Sequence, residues 1–193
     1  MSDGASDAAT SARRELWTVG HWNCPAEVLL TTLHSAEIAL VADVRKLTGS
    51  RRSPQFSAPE MVDWLADDGV GYRHLPALAG RRPRQHGVDP VLNAGWQNAS
   101  FKNYADYTLS DEFEEGLSEL VALAEERRTV LLCGEPLPWR CHRLLIANVL
   151  AARGWTVVHL QNTGKPLVHR LGQWGAVPAV AADGTVTYPP ARA

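Results

Sequence analysis

Apolar runs alternate along this chain with segments that are apolar on one side only. "ELWTVGH" (15–21) is short, β-branched and aromatic, and stops at Gly20-His21, which predicts a strand. "PAEVLLTTLHSA" (25–36) sets Leu29, Leu30 and Leu33 on one face behind Pro25 and predicts a helix. "IALVADVR" (38–45) is almost continuously apolar and ends in charge, as a strand buried on both faces does. Ser57 followed by Glu60 has the spacing of a capping box and opens a helix that Gly69 ends. "GYRHLP" (71–76) predicts a third strand.

Residues 77–102 are rich in Gly, Pro, Arg and Asn and show no period, which predicts a functional or mobile loop, or one hiding a short helix. A long helical region follows around 110–127, with Ser110 as its cap and acids in its first turn. "TVLLCGE" (129–135) predicts a fourth strand. The next helix, 141–154, has a stripe of Leu145, Ile146, Val149 and Leu150, and "WTVVHL" (155–160) makes a fifth strand. Asp183-Gly184 between "PAVAA" and "TVTYP" suggests a small C-terminal hairpin.

Strands and helices in this alternation predict a three-layer α/β sandwich, with a mainly parallel sheet of about five strands and helices on both faces. The expected layout is a disordered leader over 1–14, one α/β domain over 15–175 and a C-terminal extension over 176–193. With 193 residues the chain has room for one core and is short for two. A net charge of −2 gives no global attraction to nucleic acid or membrane, so any electropositive surface must be local. No apolar run approaches a membrane span, and the small, polar N-terminus lacks the apolar centre of a signal peptide. Three cysteines cannot all pair, so a reduced, cytoplasmic protein is expected.

Parallel sheets bind ligands beyond the carboxyl ends of their strands, and the unusual residues of this chain fall there. His21 follows strand one, Asp43 and Arg45 end strand two, His74 ends strand three, and Cys133 and Glu135 end strand four. Cys141 stands where the 141–154 helix begins, flanked by Arg140, His142 and Arg143. Helix amides and neighbouring cations would both favour its thiolate. It reads as a reactive thiol or as a small packed hydrophobe, while Cys133 reads as a core cysteine near enough to meet it. A metal drawing on Cys133, Cys141, His142 and His21 or Glu135 ranks below an anion site, because adjacent Cys141 and His142 make awkward joint ligands within one helical turn.

Arg140 and Arg143 at a helix start suit an anion, and Arg45, Lys46, Arg51 and Arg52 leave the next strand end. Arg81, Arg82 and Arg84 form a third basic loop. Trp96, Phe101 and Tyr104 lie beside these loops, and Trp22 and Trp139 are expected to wall the crevice. His34, His86, His159 and His169 carry no comparable argument.

The expected ligand is therefore a phosphate-bearing small molecule or nucleic-acid end, with the cofactor, if any, unknown. Arg45, Arg51, Arg140 and Arg143 would hold it, with His142, Asp43, Trp139 and Tyr104 around them. Cys141 would act as nucleophile, His21 and Glu135 as acid and base, with Cys133 alongside. The alternatives are a thiol-redox or metal-dependent protein using Cys133 and Cys141, and a non-catalytic nucleic-acid-binding module.

The stretches "TVGHWN", "ADVR" with "GSRRSPQF", "YRHLPALAGRR", "FKNYADY", "EFEEGL" and "LLCGEPLPWRCHR" together resemble the domain-of-unknown-function family 488, from about Trp17 to His159. The resemblance implies an α/β fold and little about reaction. Gly134 stands where that pattern suggests a small residue such as Ala. A weaker similarity joins the chain to rhodanese-like and thiol-phosphatase domains. Against those, the Cys133-to-Arg140 loop is longer, and two prolines replace the glycines that let amides converge on an anion.

Overall fold

The computed structural model describes residues 14–191. The leader expected over 1–14 lies outside them, except for Arg14, whose carbonyl accepts from Thr156 N at 2.7 Å. Five strands run in parallel: β1 (Glu15–Gly20), β2 (Leu40–Asp43), β3 (Gly71–His74), β4 (Thr129–Cys133) and β5 (Thr156–His159). A two-residue strand, β6 (Leu167–Val168), adds antiparallel to β5, so the sheet has six strands in the order β3-β2-β4-β1-β5-β6. The tail forms the separate hairpin β7 (Ala179–Val180) and β8 (Val186–Thr187) around Asp183-Gly184. The α/β class, the mainly parallel sheet and the hairpin are as the pattern predicts. β6 is too short to carry a period.

Alternate residues of each strand point to opposite faces, and the two cores divide accordingly. Trp17, Val19, Val41, Val130 and Leu132 meet Leu29 and Leu33 of α1 (Ala26–Ser35) and Met61 and Leu65 of α2 (Ala58–Asp67). Leu16, Ala42, Leu131 and Val157 meet α3 (Ala99–Tyr107), α4 (Asp111–Glu126) and α5 (Arg143–Ala152). Helix α5 is buried from Arg143 to Leu150 on every side, not on one stripe, because Val186 and Tyr188 of the C-terminal segment close over it.

Two local expectations change. Ser57 does cap α2 by position, but its hydroxyl turns back to donate to Pro54 O at 2.8 Å, so no capping box forms. The loop after β3 holds a separate helix, α3, started by Asn98, whose Oδ1 accepts from Ser100 N at 2.9 Å and Phe101 N at 3.3 Å. Ser110 caps α4 through Phe113 N as expected.

The chain leaves β1 through α1 on one face and passes over β4 to reach β2. It leaves β4 through α5 on the other face and passes over β1 to reach β5. Adjacent strands whose connections depart to opposite sides make a switch point, and a crevice opens between their carboxyl ends. His21 and Cys133 sit there side by side, with His21 N donating to Cys133 O at 3.0 Å. No helix among the described residues is long and apolar enough to cross a membrane.

Candidate functional site

A cleft of about 710 Å³ opens at this switch point. Its floor is made by Cys133, Gly134, Cys141 and His142. Its walls come from the turn after β1, the basic loop after β2, the Gly80–Arg82 segment and α3. His21, Arg45, Glu135, Arg140 and Tyr104 of the predicted site all line it. Arg51, Arg143, Asp43 and Trp139 do not: Arg51 is exposed elsewhere, and Trp139 packs against Trp174 at 5.1 Å.

Two of the arginines expected to grip an anion are committed to the protein. Arg45 is buried, and its guanidinium grips the fully buried Asp43 carboxylate (Nε to Oδ1 2.9 Å, NH2 to Oδ2 2.6 Å). NH1 donates to Phe56 O at 2.7 Å and to His21 Nε2 at 3.2 Å. Tyr72 completes the carboxylate by donating to Oδ2 at 2.7 Å. A buried ion pair with every oxygen satisfied is a structural clamp for the β2 end.

That clamp also fixes His21. Its Nδ1 donates to Trp22 O at 2.6 Å, so Nε2 carries the lone pair that meets Arg45. Burial, and next the Arg45 cation, hold its pKa down at about 4. His21 is therefore a neutral wall of the cleft, its ring stacked on Phe56 at 4.3 Å. It does not have the free, near-neutral nitrogen that an acid–base role requires. Glu135 lines the cleft with one oxygen, Oε1, accepting from Leu137 N at 3.2 Å.

Arg143 points inward from the first residue of α5 and is fully buried. Nε donates to Cys141 Sγ at 3.4 Å, NH1 to Thr18 Oγ1 at 3.1 Å and NH2 to the Glu135 carbonyl. Behind it runs a chain of hydrogen bonds that the sequence did not reveal. Thr18 Oγ1 meets His159 Nδ1 at 2.8 Å, His159 Nε2 meets His169 Nδ1 at 3.0 Å, and His169 Nε2 meets Asn148 Oδ1 at 2.9 Å. Asn148 Nδ2 donates to Tyr188 at 2.8 Å, so its Oδ1 is the acceptor end. His169 must then donate from Nε2, His159 from Nε2 and Thr18 from its hydroxyl. Every proton points away from Arg143. Burial first, and for His159 next the neighbouring His169, hold these two imidazoles at about 3 (His159) and about 4 (His169), so both stay neutral. Thr18 and His159 are register partners across β1 and β5, which explains why neither stands out in the sequence.

Cys141 lies two residues before α5 and is extended (φ −130°, ψ 147°), so its sulfur turns to the cleft floor rather than along a helix. His142 Nε2 donates to Val44 O at 3.1 Å, which leaves Nδ1 facing Cys141 Sγ at 3.6 Å. Burial opposes a charge on Cys141. The Cys133 hydrogen bond, with His142 and Arg143, outweighs it and holds the thiol well below its ordinary range. Donating to Cys141, and then burial, push the Cys133 thiol up. The objection to Cys141 and His142 as joint ligands supposed both to be helical, and the extended backbone at Cys141 removes it.

Gly80 lets the loop after β3 close over this floor. A Cβ there would fall 2.6 Å from His142 Nδ1. At Gly134 a Cβ would meet His21 Nε2 at 3.5 Å, an ordinary contact, so an Ala fits and the departure noted above is sterically mild. Arg82 is tied to the carbonyls of Pro76, Ala77 and Ala79 and lies over the Tyr107 ring at 3.9 Å. Lys46, Arg81 and Arg140 are the cleft cations that make no salt bridge or side-chain hydrogen bond among the described residues. Trp96 stacks on Phe101 at 4.9 Å and meets Tyr188 edge-on at 5.3 Å, so it serves packing, while Phe101 reaches the cleft. Tyr104 bonds Leu78 O at 2.7 Å and sets its ring 5.1 Å from His142.

The fold and this floor define an α/β protein with a thiol pair, an imidazole and an inward arginine at the switch point of a parallel sheet. The chain belongs to the family described as domain of unknown function DUF488, whose model matches residues 25–150. No curated protein and no solved structure matches it.

Proposed function

We propose that the cleft binds a phosphate-bearing ligand, a nucleotide or a nucleic-acid end, with the Cys141 thiolate as the chemical centre beneath it. One observation carries this reading. The uncommitted cations Lys46, Arg81 and Arg140 stand around an opening of about 710 Å³ whose floor holds the Cys141 sulfur, to which Arg143 Nε donates at 3.4 Å. Such cations can turn to an anion without breaking a bond inside the protein, and a concave wall concentrates their field. Phe101 offers an aromatic face to a base or sugar. Cysteines kept as thiols suit a reduced, cytoplasmic setting.

The test is calorimetric titration with inorganic phosphate, a nucleoside monophosphate and paired oligonucleotides with and without a 5′-phosphate. The reading expects binding that depends on the phosphate and weakens at least about tenfold in Arg81→Gln/Arg140→Gln. Cys141→Ser should leave binding in place. Equal affinity for the unphosphorylated oligonucleotide, or indifference to the double substitution, overturns it.

A further inference from the structure

We infer that Cys133, Cys141 and His142 hold one divalent transition-metal ion of the zinc class, with its fourth position open to the cleft. The inference rests on the reading of Cys141 as the centre of the site and gives that sulfur a coordinating role. The three donor atoms lie within 4.8 Å of one another. Cys141 Sγ and His142 Nδ1 are 3.6 Å apart. A tetrahedral zinc with bonds of about 2.3 Å to sulfur and about 2.05 Å to nitrogen sets those two ligands about 3.6 Å apart. An ion can therefore enter with the imidazole where it stands.

The surroundings are those of a ligand set. His142 is fixed by donating Nε2–H to Val44 O at 3.1 Å, the outer bond that leaves the other nitrogen's lone pair for a metal. Arg143 Nε donates to the Cys141 sulfur at 3.4 Å and is itself held by Thr18 and the Glu135 carbonyl. Gly80 lets the loop after β3 lie against Nδ1 without a Cβ, which would fall 2.6 Å from that nitrogen. Cys133 arrives from the end of β4 and Cys141 from the connection to α5, so strand and turn bring the donors together before any ion is present.

Two thiolates and an imidazole select zinc-like ions over magnesium or calcium, which prefer oxygen. Loading expels any proton still on the two sulfurs to solvent. Two thiolates balance the ion's two charges, and Arg143 leaves the centre positive towards the open position. A phosphate oxygen or a water suits that position. Three protein ligands and one vacancy form the catalytic rather than the structural pattern of zinc coordination.

The experiment is titration of the demetallated full-length protein with cobalt(II), followed by zinc. One equivalent of cobalt should produce a thiolate-to-metal charge-transfer band and the visible bands of a tetrahedral ion, and zinc should abolish both. Cys133→Ser and Cys141→Ser should each halve the charge-transfer intensity and weaken zinc binding at least about tenfold. The parent spectrum does not depend on whether a variant folds. Featureless spectra at one equivalent, or full intensity in both cysteine variants, overturn the inference. Inorganic phosphate is titrated into the apo and loaded protein in parallel. Phosphate binding without metal binding sinks this inference alone. Metal binding with no phosphate affinity in either form sinks the ligand reading alone.

Discussion

Arg143 and Cys141 meet where no solvent reaches the guanidinium: Nε donates to Sγ at 3.4 Å, and the arginine is fully buried at the start of α5. Its other two arms end on Thr18 and the Glu135 carbonyl, so the cation has nowhere else to go. Replacing it by methionine keeps much of the volume, removes the charge from the sulfur and leaves a buried carbonyl unpaired. We expect Arg143→Met to lose about 3 kcal/mol in chemical denaturation. Alkylation of Cys141 in the metal-free protein at pH 7 should slow about tenfold. Arg143→Lys should recover little of either, since one ammonium cannot reproduce three fixed directions. Parent-like alkylation in both variants would show that the arginine does not act on the sulfur.

The Asp43–Arg45 pair sits on the other side of the cleft and predicts a purely structural loss. Asp43 is fully buried and receives Arg45 Nε and NH2, Arg45 N and Tyr72 OH. Asp43→Asn leaves the guanidinium buried without its countercharge, which costs about 3–5 kcal/mol. The midpoint of urea unfolding checks this. A loss under about 1 kcal/mol would mean that Arg45 swings out to water, and would return it to the list of anion-gripping residues.

The edge of the sheet where the site lies was legible in the chain, because a charge or imidazole after an apolar run marks a strand's carboxyl end whatever the strand order. Direction was not legible. Arg45 and Arg143 look like free cations in sequence. Only the neighbours brought by β2, α5 and the turn after β1 show that both point into the protein. Thr18, His159 and Asn148 stayed hidden because each lies in an element whose buried positions are otherwise mostly apolar, and His169 because it stands just past the two-residue β6. Their polar atoms satisfy one another, so they needed no polar signal around them. The helix α3 was masked by the Gly- and Pro-rich segment before it, and only Asn98 marks its start.

Gly80 and Gly134 predict opposite outcomes for one added methyl group. Gly80→Ala puts a Cβ 2.6 Å from His142 Nδ1, so either the ring or the loop must move. The expected cost is about 1–3 kcal/mol, with a displaced His142 ring signal in the NMR spectrum. Gly134→Ala meets only the His21 ring, at 3.5 Å and beyond, and should change stability by less than about 0.5 kcal/mol. Equal effects at the two positions would contradict the close approach of the loop to His142.

The directed chain through His159 and His169 makes a prediction about acid. Both imidazoles are neutral when folded, with pKa values held down to about 3 and about 4 against an ordinary 6.5. The unfolded chain therefore takes up their protons first as pH falls. Their contribution to stability is complete above pH 6.5 and drains away as pH drops from there towards 4 and then 3. Each histidine adds a slope approaching about 1.4 kcal/mol per pH unit in that window. Denaturation curves at pH 7, 6 and 5 should show the fall. His169→Gln should flatten it by one proton's worth while lowering stability at pH 7, where the acceptor for His159 Nε2–H is disturbed. An unchanged slope in that variant would mean that the proton is taken up elsewhere, and that His169 does not end the chain as a neutral donor to Asn148.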